Sequence, residues 1–282
     1  MSADLEYQRC IHSVLNYGDR IITRNNPVYS NHMLTPAIFF DAPLVQFRKT
    51  AWKKAISEME WFMSGNPKCP DNLLDWWDGQ LNSNGELLDG YGSQFRYSSY
   101  QYDTGELEYF DQVRFILDGL KNNPNSRRLI MSTWNPGEMA AITETNQNQN
   151  TPTCCHSIVV QFFVRNDMLH MTSYQRSADM LLGVPHNWIQ SWALLLYFAH
   201  HSGLNVGSMQ WLWGDAHIYD EPSHIEVAKQ IIELTPQPCD FKLIYNPTNI
   251  ENDNGIPKFK ASDFTYTGTI AKPQITSRPT LL

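Results

Sequence analysis

No stretch constrains the fold more than residues 158–201. Ile158–Val164 (IVVQFFV) and Met168–Tyr174 are β-prone runs separated by Arg-Asn-Asp, which predicts a hairpin with a three-residue connection. The chain then returns to a helix-like apolar stretch at Trp188–His201. Further strands at Trp211–Trp213 and Phe241–Tyr245, with a helix at Ser223–Leu234, extend this into a mixed α/β reading without internal repeats.

The N-terminal half follows the same alternation. Ala55, Ile56, Met59, Phe62 and Met63 recur at helical steps before Gly65, so Arg48–Ser64 is expected to be an amphipathic helix with a glycine at its end. Phe110–Asn122 has the same period, and Arg127–Ser132 is short and apolar enough to be a strand. Thr143–Thr151 (TETNQNQNT) has the composition of an exposed loop. No Pro/Gly-rich linker divides the chain, and 282 residues fit one large domain, so residues 1–282 are expected to form a single unit.

Composition excludes several classes of function. Hydrophobic residues at 42% and aromatic residues at 12% are too many for a disordered chain. The apolar runs, such as Trp192–Ala199, fall short of the ~20 residues that span a bilayer, so no membrane partner is expected. The opening MSADLEYQRC is polar and acidic and reads as the start of a cytoplasmic protein. A formal charge of −8 argues against direct nucleic-acid binding, and any phosphate must be met by a local arginine cluster. Cys10, Cys69, Cys154, Cys155 and Cys239 lack paired spacings, which argues against a disulfide framework and against a metal site.

Chemistry concentrates in three segments. Thr-Cys-Cys-His at 153–156 stands between the polar loop and a strand, where a thiol can face a cleft and a nearby cation such as Arg176 can favour its thiolate. Taken alone, both cysteines read more simply as small buried hydrophobes. From Gln175 the run QRSADMLLGVPHN gathers a cation, a hydroxyl, a carboxylate and an amide around a Gly and a Pro, a mixture few structural segments need. In WGDAHIY, Asp215, His217 and Tyr219 alternate, so an extended segment points all three the same way.

With these residues in view, the chain resembles the thymidylate synthase family from about Arg24 to about Phe264. The matching positions are ordered and dense: Pro43-Leu44-Val45; Glu58 with Trp61-Phe62 and Gly65; Tyr91-Gly92 and Gln94; Ser126-Arg127-Arg128; Trp134-Asn135; Cys155-His156; Gln161-Phe162; Gln175-Arg176-Ser177 and Asp179; Gly183, Pro185 and Asn187; and Gly214-Asp215 with His217 and Tyr219. The resemblance implies an α/β (α+β) fold whose large mixed sheet is buried across a homodimer interface, with each site borrowing arginines from the partner.

It also implies a chemistry. Cys155 is expected to attack C6 of a pyrimidine deoxynucleoside monophosphate, making C5 able to take a one-carbon unit from 5,10-methylenetetrahydrofolate, with no metal. Glu58, with Asn135 and water, would move protons; helical period alone does not choose Glu58 over Glu60. Tyr91 would help remove the proton at C5, and His156 accompanies the nucleophile. Arg24, Arg176 and Ser177, with Arg127 and Arg128 of the other subunit, would hold the phosphate. Read without the resemblance, Arg127-Arg128 is a solvated turn, and the Arg24 loop lacks the family's usual glycines. His217 and Tyr219 would bind the sugar, Asn187 the base, Asp179 and Gly183 the pterin side, and Trp77 would pack on the folate.

Several positions depart from the methylating members. Asp78-Gly79-Gln80 follows Trp77 where they carry a second Trp, Trp213-Gly214 replaces paired glycines, His186 replaces Phe and Glu60 replaces Leu. The tail, 268–282, also reads as divergent. Added polarity and a changed lid favour water over hydride at the methylene on C5, so deoxyuridylate (dUMP) hydroxymethylation is the leading expectation, an activity typical of viruses that modify their DNA. The alternatives are thymidylate synthesis, deoxycytidylate (dCMP) hydroxymethylation, and a catalytically silent nucleotide-binding relative. Cys155, Glu58, Asn135 and Tyr91 together argue against the last.

Overall fold

A computed structural model describes residues 2–23, 26–88, 90–101, 107–136, 154–277 and 279. Arg24, the polar loop at 143–151 and the last residues of the tail lie outside them. In chain order the first half forms α1 (Ala3–Tyr17), β1 (Asp19–Ile22), β2 (Pro27–Asn31), β3 (Ala37–Phe39), α2 (Trp52–Ser64), α3 (Leu74–Trp77), α4 (Tyr91–Tyr97), β4 (Ser98–Gln101), β5 (Leu107–Phe110) and α5 (Gln112–Asn122). There follow β6 (Ile130–Ser132), β7 (Val159–Arg165), β8 (Met168–Asp179), α6 (Val184–His201), β9 (Asn205–Tyr219) and α7 (Pro222–Glu233). The short strands β10 (Lys242–Tyr245), β11 (Asn252–Asp253), β12 (Ile256–Pro257) and β13 (Phe264–Thr267) close the series.

Seven strands build one sheet in the order β1-β2-β9-β8-β7-β6, with β3 on the free stretch of β9. Among the described residues only β8 and β9 pair in parallel, and the helix α6 makes the crossover such a pair requires. Leu169, Met171, Met209 and Trp211 are buried at alternate positions of these two strands, and α6 packs there, with Trp188 tilted 5.9 Å from Trp213 and Phe198 at 4.8 Å from Phe162. Being buried on nearly every side, α6 has the apolar composition of a core helix. At the alternate positions Tyr29, Phe163, Tyr174 and Leu212 stay half-exposed, so a second, partly apolar sheet face remains open. No helix among the described residues is long and apolar enough to cross a membrane.

Several expected boundaries move for identifiable reasons. The β7–β8 hairpin turns on two residues rather than three: Asn166 and Asp167 have φ of 51° and 59°, the paired positive values of a type I′ turn. The helix expected from Arg48 begins at Trp52, because Arg48 donates to the Leu181 carbonyl (2.9 Å) and Thr50 to Val45 (2.7 Å), holding 48–51 outside the helix. Gly65 ends it with φ 69°, as expected. The Phe110–Asn122 helix starts at Gln112, with the Asp111 side chain capping the Arg114 N–H. Strand β6 begins only at Ile130, because Ser126 accepts the Arg128 N–H (3.1 Å) and keeps Arg127 and Arg128 in a turn. Most extended is β9, read from sequence as three residues and observed over Asn205–Tyr219, because Gly, Asp and His weaken β propensity that pairing on both sides restores. Sequence periodicity did not reveal α1, α4 or β1–β3.

Candidate active site

Cys155 lies where the chain bends into β7. Ser157, with φ 53°, takes a left-handed conformation unusual for a residue with a side chain, and it turns Cys155 and His156 away from the strand line. The Cys155 carbonyl accepts the Arg176 N–H at 2.8 Å, pinning the bend to β8. From the other side the Tyr91 hydroxyl accepts the N–H groups of Cys155 (2.8 Å) and His156 (3.3 Å). The Tyr91 ring stacks on Phe62 at 4.4 Å and on His156 at 4.5 Å, whose own centroids are 6.3 Å apart, so α2, α4 and the Cys155 turn share one aromatic cluster. Burial keeps the Tyr91 phenol protonated well beyond its ordinary range and pushes His156 down to about 3, so His156 is a neutral ring rather than a cation.

The two adjacent cysteines separate by environment. Cys154 is buried in the core, whereas Cys155 is half-buried with its Sγ 3.7 Å from the Arg176 guanidinium. Arg176 also donates to the Cys154 carbonyl at 3.4 Å and lies over the Trp134 ring at 5.5 Å. Burial pushes the Cys155 thiol up, and the Arg176 guanidinium offsets part of that cost to the thiolate.

Glu58 projects from α2 and is buried. Its Oε1 accepts the Trp77 indole N–H at 2.7 Å and its Oε2 the Gln190 amide at 3.3 Å. Desolvation raises its carboxyl to about 7 against the opposing pull of Trp77, Gln190 and Lys54, so it holds and releases a proton near neutrality.

On α6 Asn187 is buried, with its Nδ2 3.4 Å from where a Cβ on Gly183 would stand. Asp179 ends β8 and caps the turn into α6 through the N–H groups of Leu181 (2.8 Å) and Leu182 (2.9 Å). Alternation along β9 puts Asp215, His217 and Tyr219 on one face, as expected; Ser30 of β2 donates to Asp215, and His217 meets Tyr219 edge to face at 5.4 Å. Burial raises the Tyr219 phenol, with Asp179 and Cys155 adding to the effect, which ties β9 electrostatically to Cys155. Ser177 pairs with Asp215 in the β8–β9 register, and Asn135 follows Trp134 just after β6. Arg127 and Arg128 are exposed at the β6 edge of the sheet, away from this cluster. Arg24 lies outside the described residues.

Three of the sequence departures have structural explanations. His186 is tied to backbone at both nitrogens: Nδ1 lies 2.9 Å from the Leu182 carbonyl and Nε2 accepts the Ala51 N–H at 3.2 Å, at the head of α2. Its ring lies 4.8 Å from Trp76, so it braces α2 instead of adjusting Asn187. Glu60 accepts the Ala261 N–H at 2.9 Å and anchors the C-terminal region. Trp213 is buried in the core beneath α6. Trp77, expected against folate, is seen holding Glu58.

Sequence reasoning missed Gln190 and, though it matched Trp134 and Phe62 to the family, assigned neither of them a role. Gln190 carried a signal: it stands three residues after Asn187 on a mostly apolar helix, hence on the same face. Among the described residues no group of His, Cys, Asp and Glu is arranged to hold a metal ion.

A family model described as thymidylate synthase matches residues 5–280. The thymidylate synthase of Corynebacterium aurimucosum is 37% identical over 202 residues, 71% of this chain and 69% of the relative. The family match continues beyond Phe264 into the tail.

Proposed function

This chain belongs to the thymidylate synthase family of folate-dependent one-carbon transferases, and we propose that it hydroxymethylates dUMP at C5. The observation that carries this reading is the pairing of Cys155 under Arg176 with a near-neutral Glu58. Cys155 adds to C6 of the base, Arg176 holding the thiolate and, with Ser177, the phosphate. Asn187 offers one donor and one acceptor to the uracil edge, and His217 and Tyr219 bind the sugar. The residues fit a pterin beside the base: Asp179 supplies a carboxylate, Gly183 a backbone without a side chain, and Trp77 an indole whose N–H is already engaged. The methylenetetrahydrofolate donor supplies the one-carbon unit. Tyr91 and Glu58, with Asn135, serve proton removal at C5, which would break the one-carbon unit's bond to the donor nitrogen, release tetrahydrofolate and leave a methylene on C5. Water then adds its hydroxyl to the methylene on C5, its proton leaves through Glu58, and Cys155 departs as C5 and C6 regain their double bond.

Water in place of hydride is supported by the exposed, polar Asp78–Gln80 turn next to Trp77, where methylating members carry a second indole. Thymidylate synthesis is the second reading, favoured by the name of the Corynebacterium relative and by the family match over the tail. A second copy of the chain on the open sheet face would bury Tyr29, Phe163, Tyr174 and Leu212, and Arg127 and Arg128 at the sheet edge suit donation to the partner's phosphate site. The reading treats residues 1–282 as one domain. Mass analysis of the product from dUMP and the folate tests it: a hydroxymethyl product with tetrahydrofolate is expected, and a methyl product with dihydrofolate would replace this reading by the second.

A further inference from the structure

Glu58 is held asymmetrically. An indole N–H only donates, so Oε1, bonded to Trp77 at 2.7 Å, must remain an acceptor whether the carboxyl is ionised or not. The proton of the acid form therefore resides on Oε2, the oxygen that faces Gln190 at 3.3 Å. The Gln190 side chain is fully buried, and its Oε1 has no hydrogen-bond partner among the described residues. A buried amide oxygen left unpaired is costly, and in native proteins it marks an unseen partner or a function.

We propose that Gln190 is a positioning residue whose amide serves both protonation states of Glu58, donating N–H to the carboxylate and, turned over, accepting O–H from the acid through its otherwise unpaired oxygen. The inference rests on the reading of Glu58 as the proton carrier of the reaction. Rotation exchanges the two ends of an amide without displacing its neighbours, so the carboxyl keeps one geometry through a proton cycle. A hydroxyl at this position would be too short to span the gap, and a methylene would serve neither state. Other titratable groups stand on the elements packed around α2, namely Cys69 and Asp75 near α3, Tyr91 and Arg96 on α4 and His186 on α6, while Lys54 on α2 itself is the charge that favours the carboxylate. Among the described residues Gln190 is the one that hydrogen-bonds Oε2.

The test is the titration of Glu58 by difference infrared spectroscopy on the whole protein, with the carboxyl band assigned by its loss in Glu58→Gln. It is followed in wild type, in Gln190→Met, which keeps the shape and removes both polar ends, and in Gln190→Glu, which adds a second carboxyl. In Gln190→Met the midpoint should rise by about one pH unit, because the charge-assisted bond to the carboxylate is stronger than the bond accepted from the acid and its loss outweighs the other. In Gln190→Glu it should rise further through like-charge coupling. The pH limb of C5-tritium release from labelled dUMP with methylenetetrahydrofolate should move with the infrared midpoint, with turnover falling about tenfold and nucleotide KM little changed. An unmoved midpoint in both variants overturns the proposal, as does a moved midpoint with an unmoved activity limb. Absence of tritium release from the wild type would refute the proposed function instead, and the infrared midpoints would still decide what Gln190 does to Glu58.

Discussion

Replacing Glu58 by Gln should stabilise the protein above neutral pH, the reverse of most buried substitutions. The folded carboxyl titrates at about 7 against an ordinary 4.5, so the folded state retains this proton over a range in which the unfolded chain has lost it. The sign follows from linkage: stability falls as pH rises from about 4.5 to about 7, and above that the full penalty of a desolvated carboxylate is present. At about 1.4 kcal/mol per pH unit, this difference corresponds to about 3 kcal/mol. Glutamine keeps an acceptor for the Trp77 indole and an amide that can pair with Gln190, so little is lost in exchange. Urea unfolding of both proteins at pH 8 and pH 5 measures the effect: the variant should be more stable at pH 8 by about 2–3 kcal/mol, or roughly 5 °C in Tm, with the gap closing towards pH 5. A variant less stable than wild type at pH 8, or a gap independent of pH, would refute the argument that burial holds Glu58 near neutrality. The same variant should lose tritium release, so that the residue that costs the fold stability is the one the chemistry requires.

Cys155→Ser should abolish tritium release while equilibrium dialysis still detects nucleotide binding, whereas Cys154→Ser, in the core, should lower stability by about 1 kcal/mol and leave turnover near wild type. The reverse pattern would displace the nucleophile by one residue. Mixing an Arg127→Ala chain with a Cys155→Ser chain should restore activity in heterodimers, one of whose two sites would be intact; failure despite demonstrated subunit exchange would remove Arg127 from the partner's site. Asn187→Asp should shift kcat/KM from dUMP towards dCMP by about 10²–10⁴-fold, since a mismatched buried polar group is left unpaired. By contrast, His186→Phe should leave base preference unchanged and cost about 1–2 kcal/mol of stability, because its nitrogens serve the Ala51 and Leu182 backbone. A change of base preference in that variant would return His186 to the pocket.

Local rules within the sequence were enough for the elements whose signals are contiguous. The helix around Ala55–Met63 ends at Gly65 because a left-handed residue there suits glycine, and the alternation of Asp215, His217 and Tyr219 survives as one face of β9 because a strand has a period of two. The choice between neighbouring residues was another matter. Nothing local distinguishes Cys154 from Cys155 or Glu58 from Glu60; the family resemblance named one of each, and the fold supplies the reason. Ser157 and Arg176 turn Cys155 towards a cation while Cys154 enters the core, and the same helix aims Glu58 at Trp77 and Gln190 while Glu60 reaches Ala261. Gln190 and Glu58 are 132 residues apart, and no periodicity links positions so distant. The residue types that can do the chemistry are thus set by the sequence, but the proton affinity of a carboxyl and the ionisation of a thiol depend on burial and on charges brought within a few ångströms, which only the folded chain provides.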